Sequence, residues 1–328
     1  MFKKSIQICL AAGLLVVSAV SGLFASDKLS TAALSHYIMG VYYDDLGEAR
    51  EAIEEYKKAL SQDDSAAAIH LNLAIALIKD NKLAEAAQEL KGLIRQDPEA
   101  VAPHAILAIL YSIQNEAELA LGEYESALKN ASKLDPQDIE IYHALGVLYL
   151  KQGKFKEAKE AYRLITGLAP DDPKAHFYLG TIYGELKDYV LCEQEMQKAL
   201  ALDPDYDEAL NYLGYEYLEW GKDLDKAQGM IEKAVELEPE NGAYVDSLGW
   251  LYFKRGEFKK SRELLEKAAG LIEDPVVYDH LGDVYLKLGE AAKAGANWQK
   301  SLRLDPQQDS VKKKIEALGK NVGSAKSN

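Results

Sequence analysis

One short pattern returns along this chain at nearly constant spacing. A leucine is followed directly by glycine, and three positions later by tyrosine. It stands at Leu145-Gly146-Tyr149, and again at Leu179-Gly180-Tyr183, Leu213-Gly214-Tyr217, Leu248-Gly249-Tyr252 and Leu281-Gly282-Tyr285. Offsets of three and four return to one side of an α-helix, so each triplet marks a single helix face. Between Ile139 and Asp172 the unit reads as two helices. The first runs from Ile139 to about Gln152 and the second from Phe155 to about Leu168, with Gly153-Lys154 between them. The second helix places Ala158, Tyr162 and Ile165 on one face. Glycine in a helix interior gives up about 1 kcal/mol of propensity, so Gly146 implies a packing reason: a neighbour that comes too close for a side chain. A helical hairpin repeated at this period cannot bury its apolar face alone and must stack on its neighbours as a solenoid.

The spacing predicts eight units: 33–66, 67–100, 101–138, 139–172, 173–206, 207–241, 242–274 and 275–308. In the first, Met39, Gly40 and Tyr43 hold the register; in the second, Ala74 and Leu77 replace glycine and tyrosine, with Asp80-Asn81 at the turn. The third is longer by about one helical turn and admits two readings. In one, its second helix gains the turn and directs Ala120, Tyr124, Ala127 and Ala131 inward. In the other, Gly122 is the loop between the helices and the first helix is long. Either preserves the inward face, because a whole turn returns each side chain to the same side. Asp97-Pro98, Asp135-Pro136, Asp203-Pro204, Glu238-Pro239 and Asp305-Pro306 punctuate the units, since proline cannot continue a helix and disfavours helical geometry in the residue before it. A charged segment at 309–318 follows. Its Val311, Ile315 and Leu318 lie on one side and Lys312, Lys313 and Lys314 on the other, which suits a solvated cap on the last unit.

These residues resemble the tetratricopeptide repeat family over almost the whole chain from Asp27 onward; units four to eight match well and the first three more loosely. The variants at Tyr244–Trp250 and Asp279–Tyr285 are similar to a bacterial subgroup of exported and envelope proteins. The resemblance implies an all-α, right-handed superhelical solenoid that binds proteins or peptides in a concave groove lined by the first helix of each unit. It implies no reaction and no cofactor. By the geometry of the family, the groove carries the second, fifth, ninth and twelfth residues of each unit. In the later units that gives Phe177, Asn211, Tyr215, Trp250 and Phe253 in the middle and Asp246, Asp279 and Asp283 as an acidic margin. The expected ligand is a segment with one or two apolar anchors and a basic residue, because large aromatics dominate interface energetics. The competing reading is that Trp250 and Phe253 pack against the next unit. Family members that clamp a C-terminal carboxylate place lysine at the fifth position and asparagine at the ninth. Here those positions hold His143 and Val147, Phe177 and Thr181, Asn211 and Tyr215, and Asp246 and Trp250, so that clamp is absent.

Charge narrows the partners further. A net charge of -15 disfavours nucleic acid and anionic lipid. His36, His70 and His104 recur at the repeat spacing, but the fourth position of later units holds ordinary packing residues, and no metal site is expected there. Cys192 stands where Ala158 and Ala294 stand elsewhere, as a small core residue. No phosphate loop, His-Glu-x-x-His or Gly-x-Ser-x-Gly motif is present, and the expectation is a chain without enzymatic activity. At the other end of the sequence, Lys3 and Lys4 precede an apolar run from Ile6 to Phe24 that gives way at Asp27. That layout reads as an export signal over residues 1–26; an uncleaved membrane anchor and a buried helix of the first unit are the alternatives. Two functions follow. One is a protein-binding scaffold in the bacterial envelope. The other is a structural spacer, or a solenoid that self-associates into a homo-oligomer, within an envelope complex.

Overall fold

The computed structural model describes residues 29–325, and the expected export signal lies outside them. Seventeen helices and no strands make up the described residues. The chain divides into two compact units, one ending at Pro170 and the other beginning at Asp171.

The first unit contains four helical hairpins: α1 (Thr31–Asp45) with α2 (Ala49–Gln62), α3 (Ala67–Lys79) with α4 (Leu83–Gln96), α5 (Val101–Ile113) with α6 (Ala117–Leu134), and α7 (Ile139–Lys151) with α8 (Phe155–Leu168). The second contains four more: α9 (Pro173–Glu185) with α10 (Tyr189–Leu202), α11 (Asp207–Glu219) with α12 (Leu224–Leu237), α13 (Gly242–Lys254) with α14 (Phe258–Leu271), and α15 (Pro275–Lys287) with α16 (Ala291–Leu304). A final helix, α17 (Asp309–Ala325), follows them.

Every hairpin turns through at least one residue in the left-handed region. Glycine supplies it at Gly47, Gly153, Gly221, Gly256 and Gly289, and Asn81, Asn115 and Lys187 supply it elsewhere. The longer turn between α11 and α12 adds a second, Asp223. Asparagine and aspartate tolerate that conformation better than most residues because their short polar groups can bond locally, whereas lysine has no such help. The turn at Asn115 also decides between the two readings of the long third unit. The additional turn belongs to α6, which has 18 residues, and Gly122 lies inside it. Ala120, Tyr124, Ala127 and Ala131 are all buried, as a shift by one helical turn requires.

The predicted close approaches are present. A Cβ placed on Gly214 would lie 2.7 Å from Ile231 Cγ1 and 3.2 Å from the Ala227 carbonyl oxygen; on Gly146 it would lie 2.5 Å from the Tyr162 ring. Gly40, Gly146, Gly180, Gly214, Gly249 and Gly282 are therefore each the seat for a large residue from the second helix of their hairpin. Within each unit, first helices also touch the first helix of the next hairpin, as in α1–α3, α3–α5, α11–α13 and α13–α15. Where they touch, these helices form one layer. In the second unit α17 covers the end of the stack, with Val311 fully buried and Ile315 and Leu318 packed against the core that holds Trp298 and Val284.

Candidate functional site

The ninth residue of each hairpin gives the face formed by the first helices its character. In the second unit this position holds Thr181, Tyr215, Trp250 and Asp283. Trp250 is only 9% exposed. Its ring lies between Phe253, at 4.5 Å between centroids, and His280, at 4.0 Å, nearly parallel to both. Its indole N–H donates to Glu219 Oε1 at 2.8 Å, and Lys254 reaches the same carboxylate at 3.2 Å. The tryptophan is thus a buried tie between α11, α13 and α15, the surroundings expected on the reading that it packs against the next unit. Sequence spacing placed it on the correct helix face but could not show that His280, one hairpin later, closes over it.

The acidic margin is also engaged within the chain. Asp246 is 6% exposed, and both its oxygens lie 3.0 Å from His280 Nδ1. Asp279 and Asp283 each accept from Lys314 Nζ at 2.7 Å. Lys314 of the capping helix therefore turns toward the first-helix layer, whereas the sequence pattern had set it on the solvated side with Lys312 and Lys313. Burial raises the Asp283 carboxyl above its usual range, and Lys314 acts against that shift.

Toward the beginning of this unit, Phe177 sits among Tyr178, Tyr206 and Tyr212, with centroids 5.2–6.3 Å away. Tyr215 is partly buried in the same core, and burial raises its phenol. Asn211 remains partly exposed, although its amide oxygen is buried without a hydrogen-bond partner. Of the expected groove residues, Trp250 stacks on Phe253, Asp246 faces His280, and Asp279 and Asp283 hold Lys314.

The first unit is different at the same register. Its ninth positions hold Val41, Ile75, Ile109 and Val147, an unbroken β-branched row, and all four are partly exposed. One turn further along the helices, Ile78 and Leu150 are partly exposed and Ile113 is 48% exposed. Lys79 and Asp44, paired at 2.7 Å, stand at one margin. Val41, Ile75 and Ile78 are packed against the core of the first unit while remaining partly exposed. The row escapes a register built on units four to eight alone. Its signal is nonetheless in the sequence: an aliphatic residue at the ninth position of all four early units.

The histidines at the fourth position also proved informative. His36, His70, His104 and His176 each place Nδ1 2.6–2.7 Å from a glutamate 19 residues later: Glu55, Glu89, Glu123 and Glu195. Each pair joins the two helices of one hairpin. A histidine followed by glutamate at that constant spacing was therefore a legible signal of a hairpin clasp. Among the described residues no group of histidine, cysteine and acidic side chains is arranged to hold a metal. Cys192 is fully buried, and burial pushes its thiol up to about 12.

Among solved structures, a chain of the APC/C hetero-tetramer Cut9–Hcn1 is similar in fold, with a TM-score of 0.56 and 20% identity over 82% of this chain. The match spans 52% of that chain, about half its length. PilF of Pseudomonas aeruginosa matches at 22% identity over 58% of this chain and 94% of its own, with a TM-score of 0.47. MamA of Desulfovibrio magneticus matches at 23% over 52% of this chain and 97% of its own, with a TM-score of 0.44. Three family models, each described as a tetratricopeptide repeat, match residues 45–110 with 118–179, residues 173–206, and residues 276–308. Their combined span exceeds half the chain and falls on the hairpins described above, and the protein belongs to the tetratricopeptide repeat family.

Proposed function

We propose that this protein is a non-enzymatic scaffold of the bacterial cell envelope, and that it holds a protein partner along the aliphatic face of its first unit. One observation carries the site: Val41, Ile75, Ile109 and Val147 form a partly exposed row in consecutive first helices, with Ile113 nearly half exposed beside it. The fold is one of protein–protein interaction, and contiguous apolar surface on such a layer marks a docking face. The second unit supports the assignment by contrast, because Trp250 is covered by Phe253 and His280 and Asp246, Asp279 and Asp283 are paired within the chain. The ligand that fits is an apolar helix or extended segment without a required charge. The envelope location rests on Lys3, Lys4 and the apolar run from Ile6 to Phe24.

A photo-cross-linking residue placed at Ile109 or Ile113 in the native host tests the site. The expected product is a specific adduct that disappears when Ile75 and Val147 are both changed to aspartate. The same probe at Tyr215 should give little. The reverse pattern would return the site to the second unit. N-terminal sequencing of the protein from its host tests the location: a chain beginning near Ser26 supports export, and an intact Met1 in a cytoplasmic fraction refutes it.

A further inference from the structure

Helix α1 carries a second apolar surface, distinct from the row just described. Leu34, Ile38, Tyr42 and Leu46 recur at every fourth residue, and they are 43%, 56%, 55% and 55% exposed. They form one continuous ridge along the helix. At the register positions of Ile38 and Tyr42, the next two hairpins hold Asn72 with Ala76 and Ile106 with Leu110. Ala76, Ile106 and Leu110 are at most 3% exposed, and Asn72 is partly buried and donates to Tyr37 Oη. In the stack, the hairpin before covers such positions. Among the described residues no hairpin precedes α1, and it presents four large apolar side chains where the later hairpins are covered. Beyond the last hairpin, that place in the stack is taken by the charged helix α17.

We infer that the α1 ridge is the contact surface for a second copy of this chain, joined as an antiparallel, two-fold pair of α1 helices. The spacing is self-complementary. Turned about a point midway between Ile38 and Tyr42, Leu34 faces Leu46 of the other copy and Ile38 faces its Tyr42. A two-fold contact requires this reciprocity, and ridges of residues four apart interlock in the commonest mode of helix packing. Charge selects the antiparallel sense. Asp45 ends α1 exposed, where the helix dipole is negative and no basic residue stands in the last turn, while Asp44 is already paired with Lys79 at 2.7 Å. Antiparallel pairing keeps the two copies' Asp45 carboxylates and negative helix ends apart, whereas parallel pairing would set them together.

Light scattering coupled to size separation tests the pairing on the protein as isolated from its host, over a range of concentrations. The wild type should have the mass of a dimer. Tyr42→Lys should raise the dimer dissociation constant at least tenfold, and Ile38→Gln, a milder change, should raise it to a lesser extent. Both side chains are more than half exposed in the single chain, so the melting midpoint of the monomeric species should hold. Leu134→Lys, at a site 78% exposed and away from the ridge, should leave the dimer intact. A monomeric wild type at about 100 µM, well above the concentrations at which a specific dimer forms, would overturn the inference and mean that another segment or partner covers the ridge. A dimer equally tight in all three variants would overturn it too. The Ile75/Val147 double variant used for the first-unit face should remain dimeric, so the two surfaces can fail independently.

Discussion

A single methyl group separates tolerance from damage at the helix contacts. Gly214 faces Ile231 and the Ala227 carbonyl, and that backbone oxygen cannot rotate away from an added Cβ. Gly214→Ala should therefore lower stability by about 2 kcal/mol, as overpacking does in a well-filled core. Gly229 lies in α12 with nothing within 4 Å of a notional Cβ, and Gly229→Ala should raise stability by about 0.5–1 kcal/mol. Urea denaturation of both variants checks the pair; equal effects would mean that propensity alone decides. His104 makes the residue-scale argument for pH. Its Nδ1 faces Glu123 at 2.6 Å and its Nε2 faces the Pro98 carbonyl at 3.2 Å, so both ring nitrogens meet acceptors and the imidazolium is favoured. The hydrogen bond to Glu123 is the largest cause of its raised pKa. The folded value exceeds the unfolded one, so this stabilisation is complete below about pH 6.5 and is lost as pH rises through the folded value. His104→Gln should thus lose about 1 kcal/mol more at pH 5 than at pH 9. Thermal melts at the two pH values decide the sign.

Helices in this protein are joined across hairpins by side chains for which the sequence allowed both a ligand and a packing role. Trp250 is the clearest case, stacked on His280 and bonded to Glu219 while lying on the face that the repeat register turns outward. Trp250→Ala should cost about 3–5 kcal/mol of stability, the range for deleting a buried aromatic, and should leave Glu219 without its indole donor. The check is a denaturation curve. A variant with an unchanged midpoint would show that the ring is not part of the core. The capping helix shows the same principle. Val311, Ile315 and Leu318 were legible as its buried stripe, because i, i+4 and i+7 positions share a side. Lys314 lies between Val311 and Ile315 in sequence, and only the position of α15 beneath it determined that it would reach Asp279 and Asp283.

For the molecule as a whole, the net charge of -15 and the two kinds of first-helix face make different demands on a partner. Binding along the aliphatic row should depend little on ionic strength, because burial of apolar surface is not screened by salt. Raising salt from about 0.1 M to 1 M shortens the screening length from roughly 10 Å to 3 Å. Affinity for the partner cross-linked at Ile109 should change by less than about threefold over that range. Titration calorimetry at both salts measures it. A tenfold loss would point to a basic ligand on the acidic residues.

The sequence by itself determined the repeat. A helix period, a glycine seat and a proline stop recurring once per hairpin permit one local answer, since each hairpin is specified by contacts within itself and to its nearest neighbours. The glycine turns were read from register, whereas the histidine clasps and the aliphatic row of the first unit became visible only once the helices were placed. Which face remained available for a partner was decided only in the tertiary structure. That outcome depends on side chains one hairpin apart: His280 over Trp250, Lys254 on Glu219, Lys314 on two aspartates. A hairpin's own sequence specifies where a side chain points. Whether that side chain finds solvent, a ligand or another hairpin depends on what the next hairpin places opposite it, and that is a property of the stack.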